Sequence, residues 1–258
     1  MCVLAFAYKM PGLGQLVLLG NRDELYARPA EALDFWPDRP DVLGGRDLQA
    51  GGSWLAIRND GRFAAVTHIR EGFAAAAERS RGELVSQFVL GDEPPLDYAA
   101  RLADLRAHYA PFNLLFGSTD DLYHFHSRSG QLARVTPGLH TLSNATLDTP
   151  WFKTKRLADR LSGLRAAPRE EDAYAWLEDA TPAGPGQLPN TGIGSALERV
   201  LSPIFVVGRD YGTRASTLLI VSSRGDIAMS ERSFGLAGKE LGRRRYTLRP
   251  GIRQPSQR

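Results

Sequence analysis

Cys2 is the only cysteine of the 258-residue chain, and it stands directly behind the initiator methionine. Methionine is commonly trimmed before a residue as small as cysteine, and trimming would make Cys2 the first residue. A thiol of ordinary pKa about 8.5 and an α-amine of about 7.7 to 8.0 would then share one residue. Such a residue is nucleophile and base at once, which suits attack on an unactivated carbonyl. Position alone equally suits a small buried residue. A second concentration of chemistry is Asn21-Arg22-Asp23-Glu24, which reads either as an activating group or as a charge network at a strand end. His124 and His126 alternate along "YHFHS"; His-x-His can hold a metal, but no third ligand accompanies it, so no metal is expected.

These residues need elements to bring them together. "CVLAFAY" and "QLVLLGN" are strand-like, and "PGLG" between them supplies turn residues. A two-residue loop centred on Gly12 and Leu13 places Cys2 opposite Asp23; a three-residue loop places it opposite Glu24. Directly opposed residues share a face, and neighbours point to opposite faces, so one of Arg22 and Asp23 is expected to reach the thiol, and the shorter loop favours Asp23. Asn21 or Glu24 could fill the other role. A second hairpin is read at Trp54 to Arg58 and Arg62 to Ile69, turned at Asn59-Asp60-Gly61. Helices are read in "SRGELVSQFVL", with Ser80 as N-cap, in "PLDYAARLADLRAHY", capped near Asp97, in "PWFKTKRLADRLSGLRAA" and in "REEDAYAWLEDA". "FNLLFGSTDDLYHFHSRSGQLARV" is a hairpin turned at Ser118 to Asp121. "TPAGPGQLPNTGIG" is a surface loop, and two or three strands close the chain. Hairpins, then helices, then hairpins argue an α+β fold with antiparallel sheets.

Composition narrows the function classes. At 43% hydrophobic and 24% charged residues the chain reads as globular. No apolar run reaches the roughly 18 to 20 residues of a membrane span, and Val3 to Tyr8 is too short for a secretory signal. A cytoplasmic setting is expected. The net charge of +3 is spread along the chain. Its most compact basic run, Arg243 to Arg245, reads as a solvated surface, so no nucleic-acid partner is expected. Nothing resembles a linker, and residues 1–258 read as one domain.

Several stretches together carry a resemblance: "MCVLAFAY", "GNRDELYARP", "GGRDLQAGGSWLAIRNDGRFAAVTHIRE", "RGELV", "GLHTLSNATLDTPWFKTKR" and "LSPIFVVGRDYGTRASTLLI". They span nearly the whole chain, and in them it resembles the family named after its Asn-Arg-Asp-Glu motif, the transport and Golgi organisation 2 family. That family is similar to cysteine N-terminal nucleophile hydrolases, which cleave penicillin V and conjugated bile salts. The resemblance implies a four-layer αββα sandwich of two antiparallel sheets. It implies Cys2 as nucleophile, with Arg22 and Asp23 holding the thiolate and amine, although the hydrolases separate that pair by two residues. Asn144 matches the asparagine that helps form the oxyanion hole, a donor worth about 3 to 4 kcal/mol in a comparable enzyme. His68 stands where relatives carry asparagine and the hydrolases a second oxyanion donor; were it protonated, activity would depend on pH. Arg214 matches an arginine near the pocket that could lower the thiol pKa or hold a substrate carboxylate. Trp36 and Trp54 could line the same pocket. The implied activity is hydrolysis of a non-peptide amide of an N-acyl substrate, without a cofactor. The alternative implied by the family is non-catalytic binding and trafficking of haem, lipid or acyl-CoA on the same scaffold.

Overall fold

The first hairpin pairs β1 (Cys2–Tyr8) with β2 (Leu16–Leu25), and its register differs from the sequence expectation. In this computed structural model, which describes residues 2–72 and 77–249, Cys2 lies opposite Arg22, not Asp23 or Glu24. The connecting loop is longer than two or three residues. Lys9 N–H donates to the Gln15 carbonyl, leaving residues 10–14 to make the turn. Leu13 explains the extra length. It is drawn from the loop into the core, 2% exposed, and Gly12 and Gly14 take left-handed backbone on either side of it. Met1, whose trimming the sequence reading expects, lies outside the described residues.

β3 (Ala30–Trp36) and β4 (Arg39–Asp47) follow, then β5 (Leu55–Arg58) and β6 (Phe63–His68). α1 (Gly82–Leu90) and α2 (Pro95–Leu105) come next. The chain continues through β7 (Phe112–Gly117), β8 (Leu122–His126), β9 (Gln131–Arg134) and β10 (Gly138–Leu142). After α3 (Phe152–Ser162), α4 (Glu170–Leu177) and α5 (Ser195–Val200) it closes with β11 (Tyr211–Val221), β12 (Ile227–Phe234) and β13 (Glu240–Leu248). Among the described residues the strands form two antiparallel sheets. One has the order β10-β1-β2-β11-β12-β13 and the other β3-β4-β5-β6-β7-β8-β9.

Alternation along the strands creates the layers. Leu4, Phe6, Leu16 and Leu18 meet Leu55, Ile57, Phe63 and Ala65 between the sheets. Val3, Ala5, Val17 and Leu19 point the other way, onto Leu157, Leu161, Tyr174 and Leu177 of α3 and α4. On the far side of the second sheet, Ala64, Val66 and Phe116 carry Leu84, Phe88, Tyr98 and Leu102 of α1 and α2. The result is a four-layer αββα sandwich, the α+β fold that the resemblance implied.

Two local expectations are corrected, and a third gains a place in the fold. Arg81, not Ser80, holds the N-cap position of α1; Ser80 Oγ accepts from Gly82 N–H at 3.3 Å. α2 begins at Pro95, which starts a helix without losing a needed hydrogen bond, and Arg106–His108 form a 3₁₀ turn. The arginine run near the C-terminus is solvated, yet it belongs to the edge strand β13. Among the described residues no helix is long and apolar enough to cross a membrane.

Candidate active site

Cys2 falls on the same sheet face as Leu4 and Phe6, at the open end of the sandwich. A cavity of about 610 Å³ opens there, lined by Cys2, Arg22, Asp23, Glu24 and His68 among others. Arg22, directly across from Cys2, lays its guanidinium over the Trp54 ring at 4.4 Å. That ring needs room on β4, and Gly45 provides it: a Cβ there would sit 2.1 Å from the indole. Trp54 thus lines the cavity, whereas Trp36 is buried in the helix-side core with its Nε1 on the Gly44 carbonyl.

The four residues of the motif divide by face. Asn21 is fully occupied with architecture. Its Nδ2 donates to the Leu177 and Ile204 carbonyls at 2.8 and 2.9 Å, and its Oδ1 accepts from Ser216. Asp23 is on that same side of β2, and its Oδ1 accepts from Thr213 Oγ1 at 2.7 Å. Its backbone N–H hydrogen-bonds the Cys2 sulfur. Glu24 Oε2 stands 3.9 Å from Arg22 and 4.0 Å from Arg28.

Arg214 lies away from this cavity. It is the extra residue of a bulge where β11 crosses β2, between Thr213 and Ala215. Its guanidinium donates to the carbonyls of Leu25, Tyr26, Arg28 and Phe234. It lines a second cavity of about 270 Å³, from which Arg22 and Trp54 separate the first. The carbonyls occupy its Nε and Nη1, one nitrogen of each fork with which it could have held a carboxylate bidentately.

Asn144 is buried in the wall behind Cys2. Its neighbour Ser143 donates from Oγ to the Cys2 carbonyl at 2.9 Å. Asn144 Nδ2 donates to the His68 carbonyl at 2.9 Å. Its Oδ1 faces Ser143 Oγ at 3.2 Å and both Lys153 Nζ and Arg70 at 3.3 Å, so the amide can stand only one way round. An NH₂ group has two donors, and the bond to His68 uses one.

Sequence reading missed the ions around this amide. Lys153 is 2% exposed, and burial lowers its ammonium to a pKa of about 8, against the attraction of Asp23. Lys153, Leu157 and Leu161 recur every four residues on α3; a lysine in that apolar stripe was the available signal. Arg70 pairs with Glu198 of α5 at 2.5 Å, with both side chains nearly inaccessible. Nothing local marks that pair, which joins positions 128 residues apart. On the other side of Ser143, Thr67 Oγ1 donates to its carbonyl at 2.6 Å. Asn113 Nδ2 donates to Thr67 Oγ1 and to the Ala145 carbonyl, and Asn113 Oδ1 faces His124 Nε2 at 3.0 Å. His124 is therefore part of a hydrogen-bond chain, and His126 contacts Ser129.

Burial pushes the Cys2 thiol up, with the Asp23 charge adding to it and Arg22 opposing it. Asp23 is also raised by burial, against the pull of Lys153, Thr213 and Arg70. His68 is driven well below its ordinary value by burial and by the cations Arg81, Arg70 and Lys153. A protonated His68 donor near neutral pH does not fit these surroundings.

Comparison with known proteins agrees with the motifs. A family model described as "Transport and Golgi organisation 2" matches residues 1–235. The Bos taurus Transport and Golgi organization protein 2 homolog is 33% identical over 91% of this chain and 93% of its own. The Homo sapiens homolog is 30% identical with the same coverage. Among solved structures, a Caenorhabditis elegans N-acylethanolamine-hydrolyzing acid amidase ortholog has a TM-score of 0.43 and 10% identity, covering 84% of this chain and 92% of its own. A conjugated bile acid hydrolase from Clostridium perfringens has a TM-score of 0.44 and 10% identity, covering 95% and 96%. With the model matching nearly all of it and both relatives aligned along most of its length, the chain belongs to the Transport and Golgi organisation 2 family.

Proposed function

We propose that this protein is an amidohydrolase of N-acyl substrates, with Cys2 as nucleophile once Met1 is removed. The observation that carries the reading is the lone thiol set on a sheet face at a cavity of about 610 Å³, with Arg22 directly across the strand pair. Burial keeps that thiol protonated near neutral pH, so attack needs a base within reach. The α-amine of the same residue is that base. It takes the thiol proton as Sγ bonds the carbonyl carbon and the carbonyl π-pair moves onto oxygen. The oxyanion then collapses, the C–N bond breaks, and the proton passes to the departing amine. Water adds to the thioester, the free acid leaves, and the thiol regains its proton. The second N–H of Asn144 is the donor for the oxyanion.

The test begins with intact mass, to confirm Cys2 as first residue. Such protein should release amine from members of an N-acyl amide panel, and Cys2→Ser should abolish release. Asn144→Ala should lower kcat by about a hundred- to a thousandfold. Absence of amine release from protein with Cys2 confirmed at its N-terminus, together with haem binding at about micromolar Kd or tighter, would replace this reading with that of a carrier.

A further inference from the structure

The cavity beside Cys2 is rich in guanidinium, and most of it is matched by carboxylate. Arg28 pairs with Asp47 at 2.6 Å, Arg70 with Glu198 at 2.5 Å and Arg79 with Glu83 at 3.0 Å. Arg22 has Glu24 at the longer distance of 3.9 Å. Arg81 differs. Among the described residues it has no carboxylate within ion-pair distance, only the more distant Glu24 charge, and its guanidinium's one hydrogen bond runs from Nη1 to the Pro111 carbonyl at 3.3 Å. It lines the same cavity as Cys2, and burial lowers its pKa although the charges of a Cys2 thiolate and of Glu24 would raise it. A half-buried guanidinium has lost part of its hydration, and one weak carbonyl contact leaves most of its five donors unused.

Its position is fixed by backbone rather than by a mobile loop. Arg81 caps α1, and the next residue, Gly82, accepts from Ser53 N–H at 3.0 Å. The two segments touch so closely that a Cβ at Gly52 would fall 2.3 Å from the Gly82 carbonyl carbon. The first amides of α1 are already engaged, with Gly82 N–H on Ser80 Oγ and Glu83 N–H on the Ser80 carbonyl. What the helix end offers is therefore the side chain. The neighbouring imidazole, His68, is held neutral and does not compete as a cation.

We propose that Arg81 docks an oxyanion of the substrate, a carboxylate or a phosphate, so that the amide presented to Cys2 belongs to an anionic conjugate. The planar fork of arginine suits either group bidentately. The placement of the amide rests on the hydrolase reading above; the docking of the anion does not.

The experiment measures equilibrium binding to the full chain carrying Cys2→Ala, which bars turnover. Three ligands share one acyl chain: N-octanoylglycine, N-octanoyl-O-phosphoethanolamine and the neutral N-octanoylethanolamine. At least one anion is expected to bind about tenfold tighter than the neutral amide, or about 1.4 kcal/mol. The stronger anion tells carboxylate from phosphate. Arg81→Gln should erase the preference and leave the neutral Kd unchanged, which also reports that the cavity still forms. Arg81→Lys should keep a weaker preference. Equal affinity for all three ligands, no saturable binding of either anion, or a preference that survives Arg81→Gln overturns the proposal. With Cys2 restored, an anion preference without amine release sinks the hydrolase reading alone. Amine release from the neutral amide as fast as from either anion sinks the docking role alone.

Discussion

From the Cys2 carbonyl, hydrogen bonds run through Ser143 to Thr67, Asn113 and His124, and no side chain in that chain is charged near neutral pH. Across the strand lie Asp23, Lys153, Arg70 and Glu198, all ionisable and none more than 7% exposed. Both networks are buried and both meet at residues 143 and 144. The neutral one fixes geometry over a wide pH range, because its members neither gain nor lose charge there. The ionic one sets the potential around the thiol and must change with pH. Positioning and tuning are thus given to different chemistry on two sides of one strand end.

The sharpest way to break the contrast is to delete the hub of the neutral side. Asn113→Leu leaves the His124 N–H and the Ala145 carbonyl without partners. At about 1 to 3 kcal/mol for each buried orphan, stability should fall by roughly 3 to 5 kcal/mol in urea unfolding. A loss below about 1 kcal/mol would show that the chain of bonds is dispensable.

His124 tests whether that side is truly neutral. Burial lowers it to a pKa of about 4 from an ordinary 6.5. Between those values the unfolded chain binds the proton more readily, so stability is intact above pH 6.5 and falls as pH drops toward 4. The full displacement is worth roughly 3 kcal/mol. An NMR titration of the imidazole should place its midpoint near 4. A midpoint near 6.5 would remove the burial penalty from the account.

The ionic side should respond in the alkaline range instead. Lys153 sits at about 8 in the fold against 10.5 when exposed. The unfolded chain then holds the proton longer, so stability should rise from pH 8 to 10.5, by roughly 3 kcal/mol. Lys153→Met should flatten that rise in urea midpoints measured across the window. A wild-type slope unchanged by the substitution would place the titration elsewhere.

The smallest effect belongs to Arg214, outside both networks. Arg214→Lys loses most of four backbone carbonyl contacts and should cost about 1 to 2 kcal/mol. The rate at which iodoacetamide alkylates Cys2 should stay within about twofold, since neither network is touched. A larger change would bring Arg214 back into the site.

Local pattern made much of this fold legible. The strands flanking Leu55 to Phe63 and the apolar runs of β1, β2, β7, β8, β11 and β12 announce themselves, because burial demands alternation or continuous apolar residues. β3 and β4 did not. Their ladder is interrupted at Glu31/Asp34 and Phe35/Trp36, and proline, glycine and charge break the pattern. β13 was hidden because six of its nine residues are exposed in a row at a sheet edge, where arginines suit solvent and discourage further pairing. In the site, Cys2 and Asp23 were visible as a motif. Arg81 and the Arg70–Glu198 pair were not, because their meaning arises only when distant segments close around the cavity.

The buried Leu13 has a consequence for how this hairpin can change. The loop at residues 10–14 stands about 20 Å from the thiol, at 3.4 Å per residue along β1. Yet its length counts like a reading frame. Where one residue added or removed is taken up by the ladder instead of the loop, β1 slides against β2 by one step, and side-chain direction has a period of two, so Cys2 would exchange faces with Val3. Surface loops ordinarily accept insertions at little cost. In such a slip parity matters more than length: a one-residue step turns the thiol away from the cavity, whereas a two-residue step keeps it on the cavity face.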